Sequence, residues 1–212
     1  MSIPTDLRSR KRQAMRQTIS DAATGLFIER GFENVTIDEI AKAADVGRMT
    51  VFNYFPRKED MFFDLDEPGR EEIRAALAQS EAGTSPVETL RLLAHRFVAE
   101  RREFLTFSED EAIFLQTIER SAPLLARARA IRDELAAIVQ AGLASHAGAP
   151  ADDADAQLAA HLLVATWSVA FLQAHHEFQR SKDSAKADAT FLRLIDQGSK
   201  GVAAASAGTP YA

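Results

Sequence analysis

The segment GRMTVFNYFPRKED, residues 47–60, decides the fold that this sequence predicts. Pro56 disfavours helical geometry in the residue before it, so a helix should run from about Gly47 to Tyr54. A helix of about two turns is too short to be stable alone in water and must pack on its neighbours. Polar residues interrupt its apolar ones, a pattern that a helix buried in a plain core does not need: Arg48, Asn53 and Lys58 among Val51, Phe52 and Phe55.

Two predicted helices precede this segment. The second begins at Thr36, where the sequence TIDE forms a capping box in which Thr36 and Glu39 satisfy free helix amides reciprocally. A three- to four-residue turn then leads to the third helix, which is the helix-turn-helix arrangement. The first helix ends at Gly31 and carries an apolar stripe at helical spacing: Ile19, Ala22, Ala23, Leu26 and Phe27.

The rest of the chain also shows helical periodicity, and strand signals are nearly absent. We therefore predict an all-α protein of about nine helices, with an N-terminal three-helix, homeodomain-like helix-turn-helix domain and a C-terminal helical bundle. The fourth helix should run from Glu59 to about Gln79. The predicted domains are residues 1–58, with the helix-turn-helix motif at about 35–54, then 59–205, and a disordered tail at 206–212.

Charge is distributed unevenly along the 212 residues, whose net charge is −6. Residues 1–58 contain ten basic and seven acidic residues, whereas the remainder is strongly acidic. This asymmetry indicates a basic end that binds a polyanion. The chain has no cysteine and no signal peptide, and its most apolar run, residues 159–174, is shorter than the ~20 residues of a membrane span. We expect a cytoplasmic protein with no membrane partner.

The third helix has the residue types that read DNA. Residues at the start of a recognition helix reach base edges in the major groove. Arg48 suits guanine, Asn53 suits adenine, and Met49 suits a thymine methyl group. Lys58 is predicted to bind a phosphate. The full set of predicted contacts to double-stranded DNA is Thr36, Gly47, Arg48, Met49, Thr50, Asn53, Tyr54 and Lys58, with the basic arm residues Arg8, Arg10, Lys11 and Arg12.

Many spaced positions between about residues 12 and 62 resemble the DNA-binding domain of the TetR/AcrR family of bacterial transcription regulators. The resemblance implies a DNA-reading domain joined to a helical domain that dimerises and binds a small-molecule effector, which usually releases the DNA. Asp45 replaces the usual turn glycine and is therefore expected to take a less favourable backbone conformation. Gly47 replaces the usual Ser or Thr cap, and Asp38 stands where some relatives carry a basic base-reading residue. The matching positions include Gly31-Phe32, Thr36, Ile40-Ala41, Ala44, Val46, Thr50, Tyr54-Phe55 and Lys58-Glu59.

The predicted helix at about residues 155–180 is apolar on more than one face, so we expect a second subunit to cover it and form a homodimer. The predicted dimer contacts are Leu163, Val164, Phe171, Phe178, Phe191, Leu194 and Ile195. An effector pocket is implied by the resemblance, and its candidate residues are Phe97, Phe104, Phe107, Phe114, His161, Thr166, Trp167 and His175.

No catalytic or cofactor-binding motif is found, and the pair His175-His176 lacks the spacing of a metal site. We therefore predict a regulator that is not an enzyme and holds neither a metal nor a cofactor. The leading hypothesis is a dimeric repressor that an effector releases from a palindromic operator. Two alternatives stay open: an all-helical small-molecule-binding protein or enzyme without sequence-specific DNA binding, and an activator or architectural DNA-binding protein without an effector.

Overall fold

The structure, a computed structural model, describes residues 7–64, 66–79 and 83–212. Within these ranges the chain is helical and contains no strand, which confirms the all-α prediction. Residues 1–6 of the predicted first domain lie outside the described residues. A turn of 3₁₀-helix spans Phe32–Asn34, and the α-helices of the described chain are α1 Leu7–Arg30, α2 Ile37–Ala43, α3 Arg48–Tyr54, α4 Lys58–Phe62, α5 Asp66–Ala78, α6 Pro86–Ala99, α7 Glu109–Arg120, α8 Ala122–Ala147, α9 Ala154–Ser181 and α10 Ser184–Ala205.

The described part has ten α-helices rather than about nine, because the fourth predicted helix is two helices, α4 and α5. The backbone leaves helical geometry at Phe63, directly after the buried residues Met61 and Phe62. Asp64 then accepts a hydrogen bond from Arg16 of α1. The break follows from these long-range contacts, which the acidic, helix-like pattern around it does not reveal.

The chain folds into two compact units. The first unit contains the described residues up to Asp64 together with Ile113–Ala128, and the second contains the rest of the described chain. The end of α7 and the start of α8 therefore belong to the unit that holds α1 to α4. Ile118 and Leu124 are buried there. Polar contacts add to this packing, because Ser121 donates a hydrogen bond to Glu33 at 2.6 Å.

The core of the first unit joins α1, α2, α3 and α4. Phe27 lies at its centre, with its ring centroid 4.9 Å from that of Phe32. Phe62 connects α4 to the same group and stacks on Phe114 at 4.4 Å. Aromatic pairs at these distances stabilise a core beyond the apolar area that they bury. The buried aliphatic residues around them are Ile19, Val35, Ile40, Val51, Ile118 and Leu124.

The turn between α2 and α3 uses a left-handed residue. Asp45 has a φ of 53°, the conformation that glycine adopts most readily. Val46 donates its amide to the carbonyl of Ala41 and Asp45 donates to that of Lys42, which together form a Schellman motif. The sequence-based expectation that Asp45 takes a less favourable backbone conformation is confirmed.

The second unit is built around α9 and α10, which pack along each other, and α10 also contacts α6. α9 is the one helix of the described chain whose length and hydropathy would allow it to cross a membrane. Part of the apolar character of α9 is explained by packing, because one side of the helix is buried in the core of the second unit. Large residues of this core include Leu90, Leu93, Phe97, Leu143, Leu163, Phe191 and Ile195.

The C-terminal segment is ordered, so the expectation of a disordered tail is wrong. Tyr211 is buried, and its hydroxyl donates a hydrogen bond to Asp153 at 3.0 Å. Asp153 also caps α9 by accepting from the amide of Ala156 at 2.8 Å. Tyr211 thus fixes the C-terminal segment at the start of α9. The small residues around it in the sequence give no indication of this contact.

We predict that Gly198→Ala destabilises the protein by roughly 1–3 kcal/mol, because α9 and α10 approach too closely there to admit a methyl group. A Cβ at position 198 would lie 2.7 Å from Thr166 Oγ1 and 3.0 Å from its Cβ. The Thr166 hydroxyl already donates to the Leu162 carbonyl, so this side chain is not free to turn away. The measurement is urea unfolding at fixed protein concentration.

Gly201→Ala is the matched control on the same helix. A Cβ at position 201 has nothing within 4 Å. Its substitution should stabilise the helix by up to about 1 kcal/mol, since alanine is the better helix former. Equal effects of the two substitutions would contradict the close approach of the two helices.

Candidate functional site

The outward face of α3 is the first candidate site. Val51 and Phe55 are 0% exposed and hold the helix on the core of the first unit. On the other side, Met49 is 71% exposed, and Arg48 and Asn53 are also exposed. The structure therefore brings together the predicted base-reading side chains on one solvent-facing surface. Of the other residues predicted on this helix, Gly47 is exposed and Thr50 and Tyr54 are half-buried.

Arg16 of α1 holds the end of α3 and was not singled out from the sequence. Its guanidinium donates to the carbonyl of Tyr54 at 2.9 Å and to Asp64 at 2.7 Å. The same group lies 4.3 Å from the centre of the Phe55 ring. A cation at the carbonyl end of a helix is stabilising. Arg16 is one of several basic residues near the N-terminus, and only the fold shows that it turns inward.

Arg48, the first residue of α3, pairs with Asp38 of α2. Its Nη1 lies 3.3 Å and 3.2 Å from the two carboxylate oxygens. The guanidinium also lies 5.6 Å from the centre of the Phe52 ring, one turn further along α3. Phe52 is itself exposed. The arginine thus stands at the surface with its side chain supported on two sides.

Lys58, the predicted phosphate-binding residue, is partly turned inward. Its ammonium donates a hydrogen bond to the carbonyl of Phe32 and lies 4.2 Å from the centre of that ring. Burial lowers the pKa of Lys58, although the carboxylate of Glu33 acts in the opposite direction. A lysine ammonium has three donors, so a phosphate contact would use those that the carbonyl does not take.

The capping box predicted at Thr36 is present. The hydroxyl of Thr36 accepts from the amide of Glu39 at 3.3 Å and donates to its carboxylate at 2.8 Å. The Thr36 backbone amide also donates to the Glu39 carboxylate at 2.8 Å, and this bond, followed by the one from the hydroxyl, lowers the pKa of Glu39. Because the hydroxyl proton is already donated to Glu39, a phosphate contact through Thr36 would require the hydroxyl to redirect that proton, while both hydrogen bonds of the capping box could remain.

The basic residues near the N-terminus lie on a helix, not on an extended arm. α1 begins at Leu7, so Arg8, Arg10, Lys11 and Arg12 occupy its first turns, and all four are exposed. The first turn of α1 contains no acidic residue. Cations are unfavourable at this end of a helix, where the macrodipole is positive, and a nearby anion would relieve the repulsion.

An interior aromatic cluster in the second unit is the second candidate site. The ring centroids of Phe97 and Phe104 are 4.9 Å apart, and Phe107 is 4.9 Å from His175. Trp167 connects the two pairs through contacts of 6.1 Å with Phe97 and, through Phe191, with Phe107. The cluster, as we use the term, consists of Phe97, Phe104, Phe107, Trp167, Phe171, His175 and Phe191.

His175 is the polar centre of this cluster. It is 0% exposed, and neither ring nitrogen has a hydrogen-bond partner among the described residues. The indole nitrogen of Trp167 is likewise buried without a partner there. Burial lowers the pKa of His175 to about 4, and the adjacent His176 acts in the same direction. The imidazole is therefore neutral at pH 7 and offers one donor and one acceptor to a bound molecule.

Three residues predicted to line the effector pocket are not part of the cluster. Phe114 belongs to the first unit, where it stacks on Phe62. His161 is exposed, since it lies on the outer side of α9. Thr166 packs against Gly198 of α10. Periodicity identifies apolar faces but does not show which of two cores a residue joins, and Phe114 illustrates this.

The apolar residues exposed on α9 are not the residues that were predicted as dimer contacts. Leu158 and Val169 are 54% and 53% exposed, and Leu172 is 43% exposed. With the exposed Ala165 they form a row at helical spacing, which we call the α9 stripe. Phe171 and Leu194 are half-buried. The other predicted contacts are buried in the core of their own chain and are therefore not available to a partner: Leu163, Val164, Phe178, Phe191 and Ile195.

Comparison with known proteins finds a match in the first unit. Residues 19–65, which include α2, α3 and α4, match the family model described as bacterial regulatory proteins, tetR family. Over these residues the chain is similar to the DNA-binding region of that family. The resemblance predicted from the sequence is confirmed.

Two curated relatives are similar to the chain over most of its length. The transcriptional regulator TcmR of Streptomyces glaucescens is 27% identical over 150 residues, which are 69% of this chain and 66% of TcmR. The chain therefore spans just under two thirds of that relative. The transcriptional repressor BepR of Brucella suis biovar 1 is 27% identical over 158 residues, which are 71% of this chain and 75% of BepR.

A solved structure shows the same fold. SmeT in complex with triclosan is 21% identical to this chain and has a TM-score of 0.57. The match covers 89% of this chain and 91% of SmeT. An N-terminal helix-turn-helix domain followed by a helical domain is thus confirmed as the fold.

We predict that His175 makes the folded protein sensitive to acid. The pKa of His175 is about 4 in the folded state and about 6.5 when unfolded, so below pH 6.5 the unfolded chain binds the proton first. Stability is therefore unaffected above pH 6.5 and falls as the pH is lowered to 4, by at most on the order of 3 kcal/mol. His175→Phe should flatten this decline in denaturant unfolding measured between pH 7 and pH 4.

His161→Gln is the control for this experiment, because His161 is exposed on the same helix. Its substitution should leave the pH profile of the wild type unchanged. An unchanged profile in His175→Phe would contradict a neutral, buried imidazole.

Proposed function

We propose that the protein is a homodimeric transcriptional repressor that binds operator DNA through α3 and is released by a small-molecule effector. The observation that carries this proposal is the division of α3 into two sides. Val51 and Phe55 are fully buried, while Arg48, Met49 and Asn53 face solvent. A protein that used this helix only for packing would not need three DNA-reading residue types on its exposed side.

Several basic groups of the first unit support binding to DNA. Arg48 provides a planar donor edge for guanine, and Lys58 provides an ammonium for a phosphate. The exposed cations at the start of α1 would add affinity that depends on salt. The distribution of charge also favours DNA binding by the N-terminal residues, since residues 1–58 are basic and the rest of the chain is acidic. The acidic part of the chain repels DNA, which disfavours contacts outside the basic part.

The α9 stripe is the surface that we propose for dimerisation. Three of its four residues are large apolar side chains with about half their surface exposed, and they lie along one side of a 28-residue helix. Pairing with the same stripe of a second chain would bury them around a two-fold axis. A two-fold dimer presents two copies of α3, which suits a palindromic operator.

The interior aromatic cluster is the site at which we propose that the effector binds. The imidazole nitrogens of His175 and the indole nitrogen of Trp167 are buried and lack hydrogen-bond partners within the described residues. An unsatisfied buried polar group costs about 1–3 kcal/mol, which a ligand with matching groups would recover. The effector is then a largely apolar molecule that carries both a hydrogen-bond acceptor and a donor.

Release of DNA by the effector follows from differential binding. An effector that binds more tightly to the DNA-free form lowers the affinity for DNA by the same factor by which DNA lowers the affinity for the effector. BepR is named a repressor, and its similarity extends through both units of this chain. We place this activity in the cytoplasm, where the DNA lies, and assign no catalytic step to the protein.

We predict that Arg48→Ala lowers the preference for operator over unrelated DNA by about 1–3 kcal/mol, the range expected for one bidentate base contact. Fluorescence anisotropy with DNA from upstream of the protein's own gene and with a shuffled duplex, each at two salt concentrations, measures this preference. The control is Arg132→Ala, which removes the same charge from an exposed site on α8. Unchanged preference in Arg48→Ala would favour a helical binding protein or enzyme without sequence-specific DNA recognition.

We also predict that Val169→Arg converts the dimer to a monomer, because an unpaired charge would have to be buried in the middle of the α9 stripe. Native mass measurement and sedimentation at micromolar concentration report the change. Leu92→Arg is the matched control, since Leu92 is 48% exposed on α6 and lies outside the stripe. A wild-type protein that is monomeric under these conditions would remove the basis of two-site operator binding.

A further inference from the structure

We propose that Asp38 determines the DNA sequence discrimination of this protein by holding Arg48 in its reading position; this inference rests on the proposed function. Asp38 is the second residue of α2 and Arg48 is the first residue of α3. Their ion pair spans the turn of the helix-turn-helix motif, with both side chains more than half exposed. The class of ligand concerned is a base edge, which a correctly oriented guanidinium recognises.

The geometry leaves the reading edge of Arg48 free. Both oxygens of Asp38 contact the same nitrogen, Nη1, at 3.3 Å and 3.2 Å. No other described residue accepts a hydrogen bond from this guanidinium. Its Nε and Nη2 hydrogens therefore remain available to form the two parallel hydrogen bonds that guanine accepts at N7 and O6. Asp38 thus orients Arg48 without competing for the edge that would read DNA.

Phe52 supports the same orientation from the other side. Its ring centre lies 5.6 Å from the Arg48 guanidinium, and the two residues are four positions apart on α3. Side chains at this spacing are neighbours on a helix surface. An arginine held by a carboxylate and a ring loses less conformational freedom when it binds, so more of its binding energy is retained for the correct base.

Asp38 has no capping role, although a carboxylate in the first turn of α2 is favoured by the helix dipole. The amides at the start of α2 are served by the capping box of Thr36 and Glu39. No described backbone amide donates to the Asp38 carboxylate, whose hydrogen bonds come from Arg48. An exposed acidic group beside a DNA-reading helix also repels phosphates of every sequence. Asp38 therefore lowers binding to unrelated DNA while it favours the sequence that Arg48 reads.

The test begins with selection of duplexes from a random DNA library by the wild-type protein. Affinities for the selected duplex and for a shuffled duplex are then measured for wild type, Asp38→Ala, Arg48→Ala and the double variant. Asp38→Ala should bind the shuffled duplex more tightly and lower the selected-to-shuffled affinity ratio about fivefold, the upper range for an exposed ion pair. A released Arg48 that moves to a phosphate should steepen the salt dependence by about one unit of log–log slope.

The double variant separates positioning from a merely structural role. If Asp38 acts through Arg48, removing Asp38 from the Arg48→Ala protein should leave the affinity ratio unchanged. Asp38→Asn retains an oxygen for Arg48 without the charge, so it should restore most of the ratio while keeping the tighter binding to shuffled DNA. Glu119→Ala, which changes the net charge equally at an exposed site on α7, should behave as wild type.

Two results would overturn the inference. An unchanged ratio in Asp38→Ala, with thermal unfolding showing a folded protein, would mean that Arg48 reads DNA without help. If removing Asp38 lowers the selected-to-shuffled affinity ratio equally in the wild type and in the Arg48→Ala protein, the effect would have to act through another residue. In both cases the wild-type protein still selects a sequence, so the proposed function stands; failure of the wild type to select any sequence would instead contradict the proposed function itself.

Discussion

Two helices of seven residues each cannot be stable in water alone, and this constraint governs the first unit. α2 and α3 gain their stability from the core that they share with α1, where Ile40 and Val51 are fully buried. Because the inner side of α3 is fixed by this packing, its outer side is fixed as well. A DNA-reading surface built on so short a helix is therefore only as well positioned as the core beneath it.

Two arginines show how the fold assigns different roles to the same side chain. Arg16 lies against Phe55 and binds the carbonyl end of α3, so it contributes to the position of the helix. Arg48 lies at the other end of α3 and keeps half of its surface in solvent, so it is available to a ligand. Both form an ion pair with an aspartate, but Asp64 is largely buried and Asp38 is exposed. The environment of the pair, rather than the pair itself, separates the structural arginine from the one that we propose to read DNA.

Local patterns allowed much of the first unit to be predicted from the sequence. The capping box at Thr36, the strained turn at Asp45 and the end of α3 before Pro56 each depend on residues within a few positions. The exposed reading face of α3 followed from the same short segment. These features could be predicted because the physical cause and its effect lie in the same stretch of chain.

Features that depend on distant parts of the chain could not be predicted in this way. The inward contact of Lys58 with Phe32 and the binding of Arg16 to Tyr54 join residues that are 26 and 38 positions apart. On α9, whose faces are all rich in apolar residues, periodicity did not show which face packs inward. The exposed row of Leu158, Val169 and Leu172 became visible only when the core was known.

The first unit is assembled from two separate stretches of chain, and this has a consequence for modularity. Ile113–Ala128 contributes Ile118 and Leu124 to the core that also contains Phe27 and Val51. A gene fragment that stops at Asp64 would encode every residue that we propose to contact DNA, yet it would leave that core open on one side. If recombination or engineering exchanges the N-terminal helices between relatives, the segment Ile113–Ala128 therefore has to be exchanged with them.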